Sequence, residues 1–180
     1  MRKFIAVILF ILFSNILLSE ETILLDDLVE REDKYYLKYT NTPFTGIAIS
    51  SYSEVEMFLK EKIEFKKGIK NGVYEKYYEN GFLNIFGFYK NGKKNKVWKN
   101  YANDIDKNKN PLSSKGSYID GKKDGIWEFY NENGQLQSKG NYKDGKEEGI
   151  TEWYHENGQV KIKGNYKDGK EEGITEWYYE

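Results

Sequence analysis

The 180-residue chain contains no cysteine. That excludes disulfides, thiolate metal sites, thiol catalysis and a lipid-modified cysteine anchor. It contains one histidine, His155, so the usual nucleophile–base pairs and zinc ligand sets lack their parts. Two prolines are too few for a Pro-rich linker. Charge of one sign is missing too: 28 basic side chains face 29 acidic ones. Such a balance carries no electrostatic footprint for nucleic acid, and none is expected as a partner. No glycine precedes Gly46, although the chain has 17. Aromatics, by contrast, make up 17 %, with 16 Tyr and 4 Trp, which excludes wholesale disorder.

The first segment reads as an address. Arg2 and Lys3 precede an unbroken apolar run from Phe4 to Phe13, extended by Ile16, Leu17 and Leu18. Ser19 then leads into Glu20, Glu21 and Asp26. This is the order of a secretory signal, expected to form a hydrophobic helix over residues 1–19. The run is short for a membrane span of roughly 20 residues. Export to the periplasm, envelope or medium is therefore expected, with anchoring by an uncleaved signal as the alternative. Loss of residues 1–19 leaves 26 basic and 29 acidic side chains, a net charge of −3.

Beyond a lead-in at residues 20–33, the chain from 34 to 180 is repetitive. Residues 139–154 recur unchanged at 163–178, a shift of 24. Gly72, Gly125, Gly149 and Gly173 open units, Lys96 stands where another opens, and a divergent unit begins at Gly46. The units fall near 46–71, 72–95, 96–124, 125–148 and 149–172, with a partial one at 173–180. Every glycine fits one template of positions within the unit, once the insertion near Asp104 to Pro111 is allowed for. Repetition on this scale points to an array whose units bury surface only against their neighbours.

Each unit reads as two strands, Gly125–Tyr130 and Leu136–Tyr142 in the clearest copy. Asn133-Gly134 and Asp144-Gly145 are two-residue hairpin signals, because type I′ turns need positive φ at both central residues. The expected fold is all-β, a single-layer antiparallel meander of 24-residue hairpins behind the signal helix. With a two-residue turn at Asn133-Gly134, Glu132 faces Gln135 and Gly125 faces Tyr142. In the same register Glu128 faces Lys139, Glu152 faces Lys163 and Gly149 faces Tyr166. Trp127 should cover Gly140 and Tyr74 should cover Gly87, since an aromatic ring can shelter a cross-strand glycine.

One face then collects Trp127, Phe129, Leu136, Tyr142, Trp153, Val160, Ile162, Tyr166 and Trp177. The other carries Ile126, Tyr130, Ile150, Tyr154 and Tyr178 among polar residues. Trp127, Phe129, Tyr142, Trp153, Tyr166 and Trp177 form a candidate binding surface for carbohydrate, lipid or peptide. Column aromatics in a repeat also serve as packing, because no unit has a core of its own.

The pattern G-x-W-x-x-Y-x-x-N-G followed by G-x-Y-x-x-G-K-x-x-G, nearly complete from Gly125 to Gly149, resembles the bacterial variant of the MORN repeat. Leu28 to Gly46, with Lys34-Tyr-Tyr-Leu-Lys and Pro43-Phe-Thr-Gly46, looks like the lead-in of such proteins. The likeness covers roughly residues 30–180 and extends to the YwqK-like antitoxins. It implies a contact platform for protein or lipid and supplies no catalytic residue. The third unit departs from the pattern, with Lys96 for the opening glycine and Asn103-Asp104 for Asn-Gly.

Other groups read as structural. His155 shares its column with Tyr78, Asn131 and Tyr179, which suits a surface residue near a turn. Asp104, Asp106, Asn108 and Asn110 are spaced like the start of a calcium loop, but Lys109 and Lys115 stand where its glycine and closing glutamate belong. Glu147-Glu148 and Glu171-Glu172 point to opposite faces and cannot act as a catalytic pair. No enzyme activity, metal or cofactor is expected. The expected role is an exported scaffold touching a protein or the envelope, with an antitoxin or immunity protein, or a lipid- or carbohydrate-binding surface protein, as alternatives. The strand Gly173–Tyr178 offers a candidate edge for self-association.

Overall fold

The computed structural model describes residues 21–53, 58–103 and 109–179. The signal segment and most of the calcium-like run (Asp104, Asp106 and Asn108) lie outside them. The described chain is all-β and open. Strand β1 (Thr22–Leu24) leads through a 3-10 turn (Leu25–Asp27) into a hairpin of β2 (Leu28–Arg31) and β3 (Lys34–Leu37). The array follows as β4 (Gly46–Ser51), β5 (Leu59–Lys66), β6 (Ile69–Tyr77), β7 (Leu83–Lys90) and β8 (Lys93–Tyr101). It continues as β9 (Leu112–Ile119), β10 (Lys122–Tyr130), β11 (Leu136–Lys143), β12 (Lys146–Tyr154) and β13 (Val160–Lys167). Two short strands, β14 (Lys170–Glu171) and β15 (Glu176–Trp177), both pair with β13. Strands β4 to β14 lie in chain order in one sheet. The exception to an antiparallel meander is β1, which pairs with β4 in parallel.

The Asp-Gly turn forms as expected. Asp144 has φ 52° and Gly145 φ 89°, and Lys143 pairs with Lys146. The Asn-Gly turn does not. Asn131 N–H donates to Gln135 O at 2.9 Å and Gly134 N–H to Asn131 O at 2.9 Å. The loop is therefore three residues, Glu132–Gly134, with only Gly134 left-handed, the turn-plus-bulge form of a hairpin. A register shift between Phe129 and Tyr130 then takes up the extra residue. Two irregularities cancel, so Gly125 faces Tyr142, Trp127 faces Gly140 and Glu128 faces Lys139, as the sequence implied.

The opening glycine does more than start a strand. Toward β11 the ladder at Gly125 is regular, but toward β9 it breaks between Asp124 and Glu128. Three residues, Gly125 to Trp127, lie opposite Gly116 alone, with Gly125 at φ 78°. Such a bulge bends the strand and strengthens its twist. Lys96 adopts the same left-handed conformation, φ 60°, and Trp98 still pairs with Gly116, so the third unit keeps its hairpin.

The bend lays each turn arm over the preceding one. Gly92, Gly121, Gly145 and Gly169 donate their N–H to Lys70, Lys94, Lys123 and Glu147 O at 2.8–2.9 Å. Side chains cap the neighbouring turn N–H: Asn71 accepts from Asn91 at 3.1 Å and Glu148 from Asp168 at 3.0 Å. Lys122–Asp144 at 3.6 Å and Lys146–Asp168 at 3.3 Å join the same edge. At the opposite edge Tyr52 and Tyr78 donate hydroxyls to Tyr77 and Tyr101 O at 2.7 Å. His155 Nε2 meets Tyr178 O at 3.0 Å, a contact that places the ring proton on Nε2. The lone histidine thus does what tyrosine does in earlier units.

Burial concentrates at the N-terminal end. Leu28, Phe44, Ala48, Ile63, Phe65, Tyr74 and Trp98 form one core, flanked by Ile23, Leu25, Tyr35 and Leu37 from the lead-in. The lead-in closes the first edge of the array. At the other end the strand expected over Gly173–Tyr178 is only Glu176–Trp177, and Ile174 and Trp177 are 86 % and 65 % exposed.

Candidate functional site

The two faces of the sheet differ in kind. On the first, rings form a chain. Tyr74 stacks on Trp98 at 5.5 Å between centroids, Trp98 meets Tyr118 edge-on at 5.9 Å, and Tyr118 meets Trp127 at 5.1 Å. Trp127 then meets Tyr142 at 6.4 Å. Edge-to-face contacts set the positive ring edge against the negative face of the next.

The glycines beneath these rings are not the expected ones. A Cβ on Gly116 would lie 2.2 Å from the indole of Trp127, and one on Gly87 would lie 2.2 Å from that of Trp98. Each indole therefore covers the glycine of the preceding strand, where Gly140 had been expected under Trp127. Gly87 faces Tyr74 in register, as expected, but the ring nearest to it is that of Trp98. The bulge is the reason, since it swings the ring-bearing residue toward the strand before it. The indole N–H groups of Trp98 and Trp127 donate to Phe88 O and Ser117 O at 3.1 Å. Both rings are 2 % exposed.

Lysines roof this chain. Lys94 Nζ lies 4.2 Å from the Trp98 ring centre and Lys123 Nζ 4.3 Å from that of Trp127. Burial lowers the pKa of both, and for Lys123 the negative charge of Glu147 opposes that shift. Among the six candidate aromatics, Trp127 is thus sealed inside, Phe129, Tyr142, Trp153 and Tyr166 are half-buried, and Trp177 is open. The structure brings Trp127, Phe129 and Tyr142 together beneath Lys123, and Trp153 against Tyr166 at 6.3 Å.

The second face is a ladder of charge with an apolar ridge. Lys115 and Glu128 meet at 2.6 Å, and Lys139 and Glu152 at 2.9 Å. Each glutamate faces a lysine on both neighbouring strands, Glu128 with Lys115 and Lys139 and Glu152 with Lys139 and Lys163, and the ion pair is made to the preceding one. Tyr130 donates to Glu128 at 2.6 Å and Tyr154 to Glu152 at 2.8 Å. These bonds, led by the lysine in each case, hold both carboxyls below their usual pKa. Beside the ladder runs the second residue of each unit. Val97, Ile126, Ile150 and Ile174 are 42, 63, 45 and 86 % exposed, and Ile119 joins them at 54 %. The sequence reading placed Ile126 and Ile150 on this face. It missed that Ile47, Val73, Val97 and Ile174 share their column, a β-branched residue after every unit opening.

With the hairpins in place, the relation to known proteins can be stated. Residues 123–144 and 147–168 match the family described as MORN repeat variant. A MORN repeat variant is thus found at these two spans. Each runs from the roof position, Lys123 or Glu147, through the hairpin to the next Asp-Gly turn. The same hairpin, bulge and turn stacking extend outside the matched repeats to Gly46. No curated protein matches the chain. Among the described residues no group of acidic or histidine side chains is placed to hold a metal ion, and no helix is long and apolar enough to cross a membrane.

Proposed function

We propose that the chain is an exported, non-enzymatic repeat scaffold that holds a protein or envelope partner on its second face. The observation that carries this reading is the exposed ridge of Val97, Ile126, Ile150 and Ile174. Exposed apolar side chains scattered singly need no explanation, but one that recurs at the same place in unit after unit, on a face otherwise lined with charge, is a pattern a partner can read. Val97, Ile126 and Ile150 stand on β8, β10 and β12, two strands or about 9.5 Å apart, so the row is regular and can be read by an extended partner. MORN repeats as binding modules agree with it, and the signal-like start at Arg2 to Ser19 supports export.

The test places a photo-crosslinking amino acid at Ile126 or Ile150 in the native cell. One discrete adduct is expected from both positions and none from Tyr39, which is fully exposed in the lead-in. Equal yields from all three would end the reading. N-terminal sequencing of the processed protein checks export, with a start near Glu20 expected. A second reading, an antitoxin or immunity protein, is supported by the likeness of Gly125 to Gly149 to YwqK-like repeats. It requires that loss of the gene be harmful only while a neighbouring toxin gene is intact.

A further inference from the structure

The repeats supply their own comparison for a binding slot on the first face. At the start of β6, β8 and β10, just before each unit opening, a lysine reaches over aromatic rings. Lys70 lies over Tyr35 and Tyr89 at 5.7 and 5.6 Å, and Lys94 over Trp98 and Tyr118 at 4.2 and 5.2 Å. Lys123 lies over Trp127, Phe129 and Tyr142 at 4.3, 5.2 and 4.7 Å. In the next two units the same position holds Glu147 and Glu171. The cation has gone and carboxylates have arrived, while the rings Trp153 and Tyr166 remain.

The floor changes as well. Thr151 stands where Trp98 and Trp127 stand in earlier units, so a small hydroxyl side chain replaces an indole. Thr151 is only 4 % exposed, and its Oγ1 is buried without a hydrogen-bond partner. A native buried polar atom of that kind calls for a physical reason. Around it, Tyr166 lies opposite Gly149 on one side and Glu171 on the other. Both Glu147 and Glu171 act electrostatically on that ring, raising its hydroxyl pKa after burial has done so. Glu147 accepts the Tyr142 hydroxyl at 3.1 Å, and Glu171 accepts that of Thr175. Neither carboxylate is in a direct ion pair among the described residues.

We propose that the slot between Glu147 and Glu171, floored by Thr151 and walled by Trp153 and Tyr166, takes a lysine side chain from a partner polypeptide. Lysine is the fitting cation because lysines fill the equivalent slots internally. A compact ammonium on a flexible stem can lie over a ring face and still present its donors to carboxylates. The inference shares with the proposed function only the premise that the partner is a polypeptide. The slot lies on the opposite face from Ile126, so the two tests fail separately.

The experiment titrates the purified chain with tetralysine and follows the aromatic and indole signals by NMR. Saturable shifts are expected at Trp153 and Tyr166, at least five-fold larger than at Trp98 and Trp127, whose slots are filled. Tetra(Nε-acetyl-lysine) should produce none, and tetra-arginine should bind at least three-fold more weakly. Glu147→Lys, which recreates the Lys123 arrangement, should weaken binding at least ten-fold with the Trp98 and Trp127 signals unmoved. If that variant fails to fold, Glu147→Gln should lose at least three-fold. Shifts confined to the Asp144 and Asp168 turns, arginine binding as tightly as lysine, or wild-type affinity in Glu147→Lys or Glu147→Gln would overturn the proposal.

Discussion

Two stretches of one array, built on the same hairpin, solve the same packing problem differently. From Lys93 to Tyr142, each second strand carries an indole that lies flat on the glycine before it and is roofed by a lysine. From Lys146 to Tyr178, threonine takes that place and tryptophan moves two residues along the strand, to Trp153 and Trp177. The backbone register is the same in both stretches. Backbone geometry in a repeat is therefore set by turns and bulges, while the side-chain filling is free to vary from unit to unit. The first stretch uses that freedom for stability. The second has no lysine at that roof position, and Trp153 and Tyr166 are half-buried.

The sharpest contrast should come from the indoles. Trp127→Ala removes a buried ring and should cost about 3–5 kcal/mol, whereas Trp177→Ala, at a site 65 % exposed, should stay within about 0.5 kcal/mol. Urea unfolding of the two variants measures both, and equal losses would break the comparison.

The glycines grade the same difference more finely. Gly116→Ala meets an indole at 2.2 Å and should cost about 2–3 kcal/mol through overpacking. At Gly164 the nearest atom is Tyr166 Cε2 at 3.2 Å, a ring edge that can give, and alanine there should cost below about 1 kcal/mol. Chemical denaturation in parallel would show the order, and its reversal would mean that the rings do not lie where the bulge puts them.

Two substitutions should stabilise. Thr151→Val keeps the shape and removes a buried hydroxyl without a partner, a gain of about 1 kcal/mol. Lys96→Gly relieves a left-handed residue at φ 60° and should gain about 0.5–1 kcal/mol once the extra freedom of the unfolded glycine is subtracted. Thermal unfolding reads either as a raised midpoint.

The smallest effect concerns the second face, where the two stretches are alike. Glu128 and Glu152 have lowered carboxyl pKa values, from Lys115 and Lys139 respectively. Their contribution is present above the unfolded carboxylate pKa of about 4.3 and disappears as pH falls through the lower folded value. For partly exposed pairs it should be below about 1 kcal/mol each. Glu128→Gln and Glu152→Gln should remove equal parts of the acid sensitivity between about pH 5 and 3, seen as converging unfolding midpoints at the acid end. Unequal parts would show that the lysine–glutamate–tyrosine ladder also differs between stretches.

Much of this architecture was legible in the residues. Asp144-Gly145 dictated a type I′ turn because few other dipeptides tolerate two positive φ angles. The pairing of Glu128 with Lys139 followed from turn spacing, yet for an incomplete reason. The Asn-Gly loop has three residues, and a bulge beside Tyr130 compensates. The aromatic face was legible from alternation. Its sealing was not, because Trp127 is covered by Lys123, Tyr118 and Tyr142, and those contacts arise only after the strand bends at Gly125. The apolar ridge was legible in principle, since a β-branched residue follows each unit opening.

What the amino-acid order determined by itself was period, turn placement and the face each side chain occupies, all consequences of local φ preferences and the two-residue alternation of a strand. What the tertiary structure decided was direction. Rings and carboxylates turn to the preceding strand, as Trp127 does to Gly116 and Glu128 to Lys115. Local preference is equal for the strands on either side, and only the bulge, formed between one unit and the last, makes them unequal.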